Sequence, residues 1–251
     1  MRGPVHDSRD RSRTHRRFDR AGRPSPERFG DSGPRIIRLL ERAWPPSVEP
    51  GFLLRTFWKL METLQIALAG TVIGVILSLP LAWLSAKGIS PLGMFRAIPR
   101  IFVSFLRTVP DLVWALVFVV AVGLGPVAGT MTIIVDTMGF CGRFFAEAIE
   151  DAEKPPQQAL EAIGARKLDI MFAAVLPATM PSLINSSLFA LEKAVRSSVV
   201  LGLVGAGGIG QELAAAFELF QYNRAATIII AIFAIVLAME LLTDALRKRV
   251  S

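Results

Sequence analysis

One uninterrupted apolar run constrains this chain more than any other feature. From Thr63 to Ala86 there are 24 consecutive residues without a charged side chain. A helix needs about 20 predominantly apolar residues to cross the hydrocarbon core of a bilayer, because each residue adds only about 1.5 Å of length. The run therefore predicts a membrane-spanning helix, and within it Gly70, Gly74 and Ser78 recur at a spacing that permits close contact with another helix.

Four further apolar segments make the prediction an all-α, polytopic membrane protein with about five transmembrane helices. The chain is 52% hydrophobic and only 20% charged, which agrees with this class. The second span must continue its helix through Pro110 to be long enough. The five predicted spans are residues 63–86, 102–123, 127–148, 180–203 and 225–245.

The net charge of +7 is confined to the beginning of the chain. Residues 1–59 hold 14 of the 28 lysines and arginines but only 7 of the 21 acidic residues. Residues 1–34 have too few large apolar side chains to offset the entropy of ordering, which predicts a disordered basic tail. Residues 35–59 alternate cationic and apolar side chains, which predicts an amphipathic helix on the membrane surface, broken at Pro45-Pro46.

Positive charges in the short loops predict the orientation of the spans. The loops at 87–107 and 149–178 carry several lysines and arginines, and the chain ends in Arg247-Lys248-Arg249, so all three regions are expected in the cytoplasm. Five spans then place the N-terminus outside, whereas the same rule assigns the arginine-rich tail to the inside. The sequence leaves this conflict open.

Several chemistries are excluded by composition. Cys141 is the single cysteine, so an intrachain disulfide is impossible. Both histidines, His6 and His15, lie in the basic tail, which leaves the body without a histidine base or a histidine metal cage. The sequence contains no GxxxxGK[ST] phosphate-binding loop. We therefore expect neither an enzyme nor a cofactor bound to this chain.

The loop at 149–178 contains a pattern typical of a short projecting helix. Pro155 and Pro156 suit a first helical turn and Gly164 suits a helix end, so a helix is predicted at about 156–163. Such a helix can act as a lever that a groove on another subunit grips. The residues assigned to this coupling are Gln158, Ala159, Leu160, Glu161, Ala162, Gly164 and Ala165.

The same loop resembles the cytoplasmic motif of permeases from binding-protein-dependent ABC importers. That motif reads Glu-Ala-Ala, three residues, glycine, nine residues and then Ile-x-Leu-Pro, and here it is occupied by Gln158, Ala159, Leu160, Gly164, Ala174, Leu176 and Pro177. Three further segments are similar to phosphonate importer permeases. They are FVVAVGLGPVAG at 118–129, VLPATMPSLINSSLFALEKAVRSS at 175–198 and VVLGLVGAGGIG at 199–210.

The resemblance covers residues 60–249 and implies the type I ABC importer permease fold in the cytoplasmic membrane, surrounded by lipid. It implies a homodimer, or a pair with a paralogous permease. It also implies two ATPase subunits that bind ATP and Mg, and an extracytoplasmic solute-binding protein that delivers phosphonate, phosphate or phosphite. No nucleic acid partner is expected.

The fourth predicted span is unusually polar for a membrane helix. Glu192 and Arg196 are four residues apart on one helix face, in the order that favours an ion pair. Ionisable groups at membrane depth usually face a bundle interior or a water-filled cavity. Arg196, Lys193, Glu192 and Asp136 are therefore candidates for an anion path, and a purely structural ion pair is the alternative.

Glycines crowd the segment that follows this span. Gly205, Gly207 and Gly210 match the GxGxxG dinucleotide fingerprint, but they follow a membrane span instead of a strand, and the acidic residue expected about 20 positions later is absent. Together with Gly208 they predict an external turn, and the resemblance places it near the binding protein.

Two other functions are compatible with part of the pattern. A stand-alone secondary transporter or channel for small anions fits the polar span, although no internal repeat of the kind common in such proteins is found. A membrane-anchored nucleic-acid binder fits only the basic tail. Association with an ATPase subunit distinguishes the ABC permease from both.

Overall fold

The computed structural model describes residues 32–250, which form helices and connecting turns without any β-strand. The chain divides into two units, residues 1–45 and 46–251. Helix α1, Ser32–Ala43, is the described part of the first unit. The predicted disordered tail lies outside the described residues, except for its last three, which begin α1.

The second unit is a succession of helices joined by short turns. A 3₁₀ turn at Gly93–Arg96 precedes α3, and a π-helical turn at Met171–Val175 interrupts α7. The helices are α2 (Pro50–Ser85), α3 (Ala97–Thr108), α4 (Asp111–Val122), α5 (Pro126–Asp151), α6 (Lys154–Ala162), α7 (Lys167–Leu203), α8 (Ile209–Glu218) and α9 (Tyr222–Val250).

Among residues 32–250, three helices are long and apolar enough to cross a membrane. These are α2, α7 and α9, and they contain most of the spans predicted at 63–86, 180–203 and 225–245. Helix α5 contains the span predicted at 127–148. It has 26 residues, which is long enough to cross, but it contains no 18-residue stretch as apolar as those in the other three helices.

The span predicted at 102–123 is wrong as a single helix. The structure breaks it into α3 and α4, which are bent by 90° relative to each other, as in a broken span or a re-entrant loop. Pro110 has no N–H to donate, and its ring disfavours a helical conformation at Val109, which is extended at φ −82° and ψ 122°.

The amphipathic segment predicted at 35–59 is also divided. Its first part lies in α1, which ends at Ala43, whereas residues 50–59 form the first turns of α2. Pro50 begins α2, where its fixed φ suits the helix and its missing N–H has no intrahelical partner to lose. The first span is therefore part of a 36-residue helix that begins well before Thr63.

Helices α2 and α5 run parallel, side by side, in the most extensive contact of the unit. Glycine makes the close approach possible. A Cβ atom at Gly70 would lie 2.6 Å from Cβ of Ile133, and one at Gly74 would lie 2.6 Å from Cβ of Thr137. The close helix contact predicted from the four-residue spacing is confirmed. It fixes the register of the two helices, with Gly70 beside Ile133 and Gly74 beside Thr137.

We expect Gly74→Ala to lower the free energy of unfolding by about 1–3 kcal/mol, because the added methyl group overlaps Thr137. Gly51→Ala is the matched control on the same helix, since nothing lies within 4 Å of a Cβ atom at that position. Thermal unfolding of both variants in detergent measures the difference. Equal melting temperatures would contradict a tight α2–α5 contact.

Candidate functional site

Helix α6 stands in the loop between α5 and α7, where the sequence predicts a projecting helix. It ends at Ala162, two residues before Gly164, which has a φ of +83°, a conformation that favours glycine. The N–H of Gly164 donates to the carbonyl of Glu161 at 2.9 Å, and the N–H of Ala165 donates to that of Leu160 at 3.0 Å. These bonds satisfy carbonyl groups at the helix end, and the predicted helix at 156–163 is confirmed within one or two residues.

The two faces of α6 have different surroundings. Leu160 and Ala165 are half-buried and pack against an apolar cluster that contains Phe145 and Ile149. Leu160 thereby holds α6 to its own chain, and its predicted contact with a partner stays a prediction. Ile163 points away and is 79% exposed. The other assigned coupling residues, Gln158, Ala159, Glu161, Ala162 and Gly164, are exposed as well.

Polar contacts tie both ends of this loop to the segment between α2 and α3 and to the start of α3. Near its start, the carboxylate of Glu150 accepts a hydrogen bond from the N–H of Lys87 at 2.8 Å and pairs with Arg100 at 3.5 Å. At its far end, the ammonium group of Lys167 donates to the carbonyl of Ser90 at 3.1 Å. The sequence analysis used Lys87, Arg100 and Lys167 only to predict the orientation of the spans and did not predict these contacts.

Charged side chains of α5, α7 and α9 meet inside the bundle and form ion pairs. The ammonium group of Lys193 donates to both carboxylate oxygens of Asp136, at 2.7 and 2.9 Å. Glu192 accepts from Arg196 at 2.8 Å and from Arg247 at 3.0 Å. The predicted Glu192–Arg196 pair is confirmed, and all four candidate path residues belong to this charged cluster.

The charged cluster lies at mid-depth in the predicted membrane region. Asp136 precedes Thr137, which packs on Gly74, and Gly74 stands at the middle of the apolar run at 63–86. The side chain of Glu192 is only 10% exposed. A carboxylate in such surroundings is costly unless it is paired, and here two guanidinium groups supply the pairing.

Arg247 is the member of the charged cluster that sequence reasoning missed. The terminal run of basic residues predicts that it lies beyond the last span, in the cytoplasm. Helix α9 continues to Val250 and presents Arg247 to α7, a contact that the basic run does not reveal. Arg247 follows Asp244 by three residues, which is the spacing of an ion pair on one helix face and indicates that the helix continues this far. The run of basic residues was interpreted as the end of the span, so this indication was missed.

The glycine-rich turn before α8 is tightly packed. Gly205, Gly207 and Gly208 have positive φ, and a Cβ atom at Gly208 would lie 2.5 Å from Oγ1 of Thr63. Gly210 crosses Gly202 so closely that a Cβ atom there would lie 2.8 Å from the Gly202 Cα atom. The turn therefore holds α8 in a fixed position against α2 and α7.

Helix α8 is capped by side chains of α2, which the sequence did not reveal. Oε1 of Glu62 accepts a hydrogen bond from the N–H of Gly208 at 2.9 Å. Oγ1 of Thr63 accepts one from the N–H of Ile209 at 2.8 Å. The first N–H groups of a helix have no intrahelical acceptor, so these oxygens replace water there. In the sequence, only the adjacent Glu62 and Thr63 at the start of the apolar run, an acid followed by a hydroxyl, indicated this cap.

We expect Asp136→Asn to destabilise the protein by about 1–3 kcal/mol, because Lys193 then lacks a carboxylate partner at membrane depth. Lys193→Met should cost a similar amount, since it leaves Asp136 without its cation. Melting temperatures of both variants and of the double variant form a thermodynamic cycle. Additive effects would show that the pair contributes nothing; the expected result is that the double variant is less destabilised than the sum.

Comparisons with known proteins agree with this arrangement. The chain is 36% identical over 216 residues to the phosphite transport system permease protein PtxC of Stutzerimonas stutzeri, covering 86% of this chain and 78% of that protein. It is 36% identical over 213 residues to the phosphate-import permease protein PhnE of Mycolicibacterium smegmatis, covering 85% of this chain but 40% of that longer protein.

A solved structure shows the same fold. A chain from the inward facing MetNI methionine ABC transporter superposes with a TM-score of 0.70 at 20% sequence identity, covering 81% of this chain and all of that one. The predicted ABC importer permease fold is therefore confirmed. Residues 63–251 match the family described as binding-protein-dependent transport system inner membrane component. The chain belongs to this family of inner-membrane permease components of ABC transporters.

Proposed function

We propose that this chain is the transmembrane permease subunit of an ATP-driven importer that carries phosphonate, or the related phosphite or phosphate, into the cytoplasm. The observation that carries the proposal is the 36% identity to a phosphite permease over 78% of that protein's length. A relative from Mycolicibacterium smegmatis with the same identity is a phosphate-import permease. The shared chemistry of these solutes is a tetrahedral phosphorus oxyanion.

The exposed face of α6 is the proposed contact for a separate ATPase subunit. Ala159, Ala162 and Ile163 form an uncovered apolar surface on a helix whose opposite side is held by Leu160. Two ATPase subunits, each with its own ATP and Mg, then act on two copies of α6. Glu150 and Lys167, at the two ends of the loop that carries α6, are bonded to the segment between α2 and α3, so a displacement of this loop reaches more than one helix.

A second permease copy is proposed because the charged cluster is only partly enclosed by its own chain. The side chain of Arg196 is 48% exposed and that of Lys193 is 36% exposed, both at mid-depth. Charged groups at that depth are costly against lipid and are found facing water-filled cavities or other protein. A homodimer, or a pair with a paralogous permease, supplies such an enclosed path.

Lys193 and Arg196 are the proposed attractive elements of that path. Each is paired with a carboxylate, so an anion competes with Asp136 or Glu192 and binds weakly. Weak binding suits passage, because a solute held tightly inside a pathway leaves slowly. The solute-binding protein sets most of the specificity and is proposed to dock near the turn that contains Gly205 and Gly208.

Ile163→Asp should abolish most ATP-driven uptake without changing the melting temperature of the permease, because the side chain is 79% exposed and its proposed contact is with the ATPase subunit. Ile163→Leu is the matched control and should retain uptake. Co-purification of ATPase subunits with each variant measures the contact directly. Full uptake without ATPase subunits would instead favour a stand-alone anion transporter.

Deleting the gene in its native cells should reduce uptake of labelled phosphonate, phosphite or phosphate, and re-expression should restore it. The three anions are tested separately at concentrations below saturation. Re-expression of Ile163→Asp is the control, because this variant is expected to fold but not to couple to the ATPase subunit. Unchanged uptake of all three anions would contradict the proposed substrate class.

A further inference from the structure

Arg107 lies inside the predicted membrane region but outside the charged cluster. It belongs to the last turn of α3. Its aliphatic stem lies flat on α5, where a Cβ atom at Gly139 would be only 3.0 Å from Cγ of Arg107. Gly139 follows Asp136, which stands at mid-depth, by three residues. The backbone of Arg107 is therefore within the membrane, close to the level of the charged cluster.

The guanidinium group of Arg107 rests on an aromatic ring of α5. It lies 5.9 Å from the centroid of Phe144, and that ring is 4.6 Å from the ring of Phe140. The ammonium group of Lys193 lies 5.6 Å from the Phe140 centroid. Because Phe144 is four residues further along α5, toward the predicted cytoplasmic loop, the two cations stand at successive levels, with Arg107 nearer to the cytoplasm.

No carboxylate neutralises Arg107. Among the residues that the structure describes, its guanidinium group has neither an ion-pair partner nor a hydrogen-bond acceptor. Asp136 and Glu147 each hold a cation of their own, at 2.7 and 2.6 Å, and Asp111 accepts a hydrogen bond from α7 at 2.9 Å. Arg107 therefore keeps a full positive charge, whereas the cations of the charged cluster each have a carboxylate partner.

The depth of Arg107 makes an unpaired charge costly unless water or protein covers it. Phe144 is eight residues beyond Asp136, so the guanidinium group stands about 12 Å from mid-depth, within the roughly 15 Å half-thickness of the hydrocarbon core. The side chain is exposed on the surface of the chain. Ionisable groups at such depth usually face a water-filled cavity or another protein, the argument that also assigns Lys193 and Arg196 to the proposed solute path.

We propose that Arg107 is the innermost anion contact of the solute path, where the solute is held after it leaves Lys193 and Arg196 and before it enters the cytoplasm. The inference rests on the proposed function and adds a residue that the transported anion touches. Asp136 and Glu192 compete with the anion for the cations of the cluster, whereas no described carboxylate competes at Arg107. The anion is thus drawn inward, and water near the cytoplasmic edge screens the charge enough for release.

The test uses the permease assembled with its ATPase subunits and binding protein in proteoliposomes. ATP-driven uptake of phosphite, phosphate and methylphosphonate is measured separately. Arg107→Gln should lower the maximal uptake rate of every transported anion about tenfold or more, the effect of losing one charge-assisted hydrogen bond, and Arg107→Lys should retain most of it. Arg96→Gln is the matched control and should leave uptake unchanged, because this arginine lies in the 3₁₀ turn before α3.

Cysteine chemistry separates a solute contact from an arginine that only anchors α3 to lipid headgroups. Cys141 is the single cysteine and is 0% exposed, so the unaltered protein is the unreactive control. Arg107→Cys should react with a water-soluble methanethiosulfonate, and a saturating transported anion should slow that reaction. A cationic reagent restores a positive charge here and should raise uptake, whereas an anionic reagent of similar size should not. Because the charge returns after assembly, this recovery also distinguishes a lost contact from a failure to fold.

The outcomes distinguish this inference from the proposed function. Uptake by Arg107→Gln at the unaltered rate, or an Arg107→Cys thiol that no water-soluble reagent reaches, overturns the inference and leaves the proposed function intact. Equal recovery with the cationic and the anionic reagent also overturns it, since the size of the side chain and not its charge would then matter. If the unaltered protein transports none of the three anions, the proposed function fails instead.

Discussion

The contact between α2 and α5 is the constraint on which the rest of this structure depends. Lipid tails are as apolar as leucine, so helices inside a membrane gain little from hydrophobic burial and associate through close packing. Gly70 and Gly74 permit that packing by leaving no side chain between the two backbones. Because Thr137 is fixed against Gly74, its neighbour Asp136 is held at mid-depth, where Lys193 of α7 can reach it.

The charged cluster follows from that geometry and from the pairing that burial requires. Asp136 and Glu192 each hold a cation from a different part of the chain, and Glu192 joins α7 to α9 through Arg247. The same pairs that make a polar span tolerable also hold Lys193 and Arg196, the cations proposed to attract the solute. On that proposal, the stability of the bundle and the passage of the solute depend on the same residues.

The sequence predicted features that depend on local pattern. Length and apolar composition located α2, α7 and α9, and Pro155 with Gly164 located α6. The bend between α3 and α4 was missed because a span of full length required the helix to continue through Pro110. The pairing of Arg247 with Glu192 was missed because it depends on how far α9 extends beside α7, and no local pattern states the register between distant helices.

The π-helical turn at Met171–Val175 has a consequence for how this chain can vary. It lies in α7 between the coupling loop and the charged cluster, so it sets the rotational phase of one end of that helix relative to the other. A residue inserted or lost there would turn the distal half by about 100° about the helix axis. Lys193 would then leave Asp136 although neither of these two side chains had changed, so the length of this segment is constrained more strictly than its side chains.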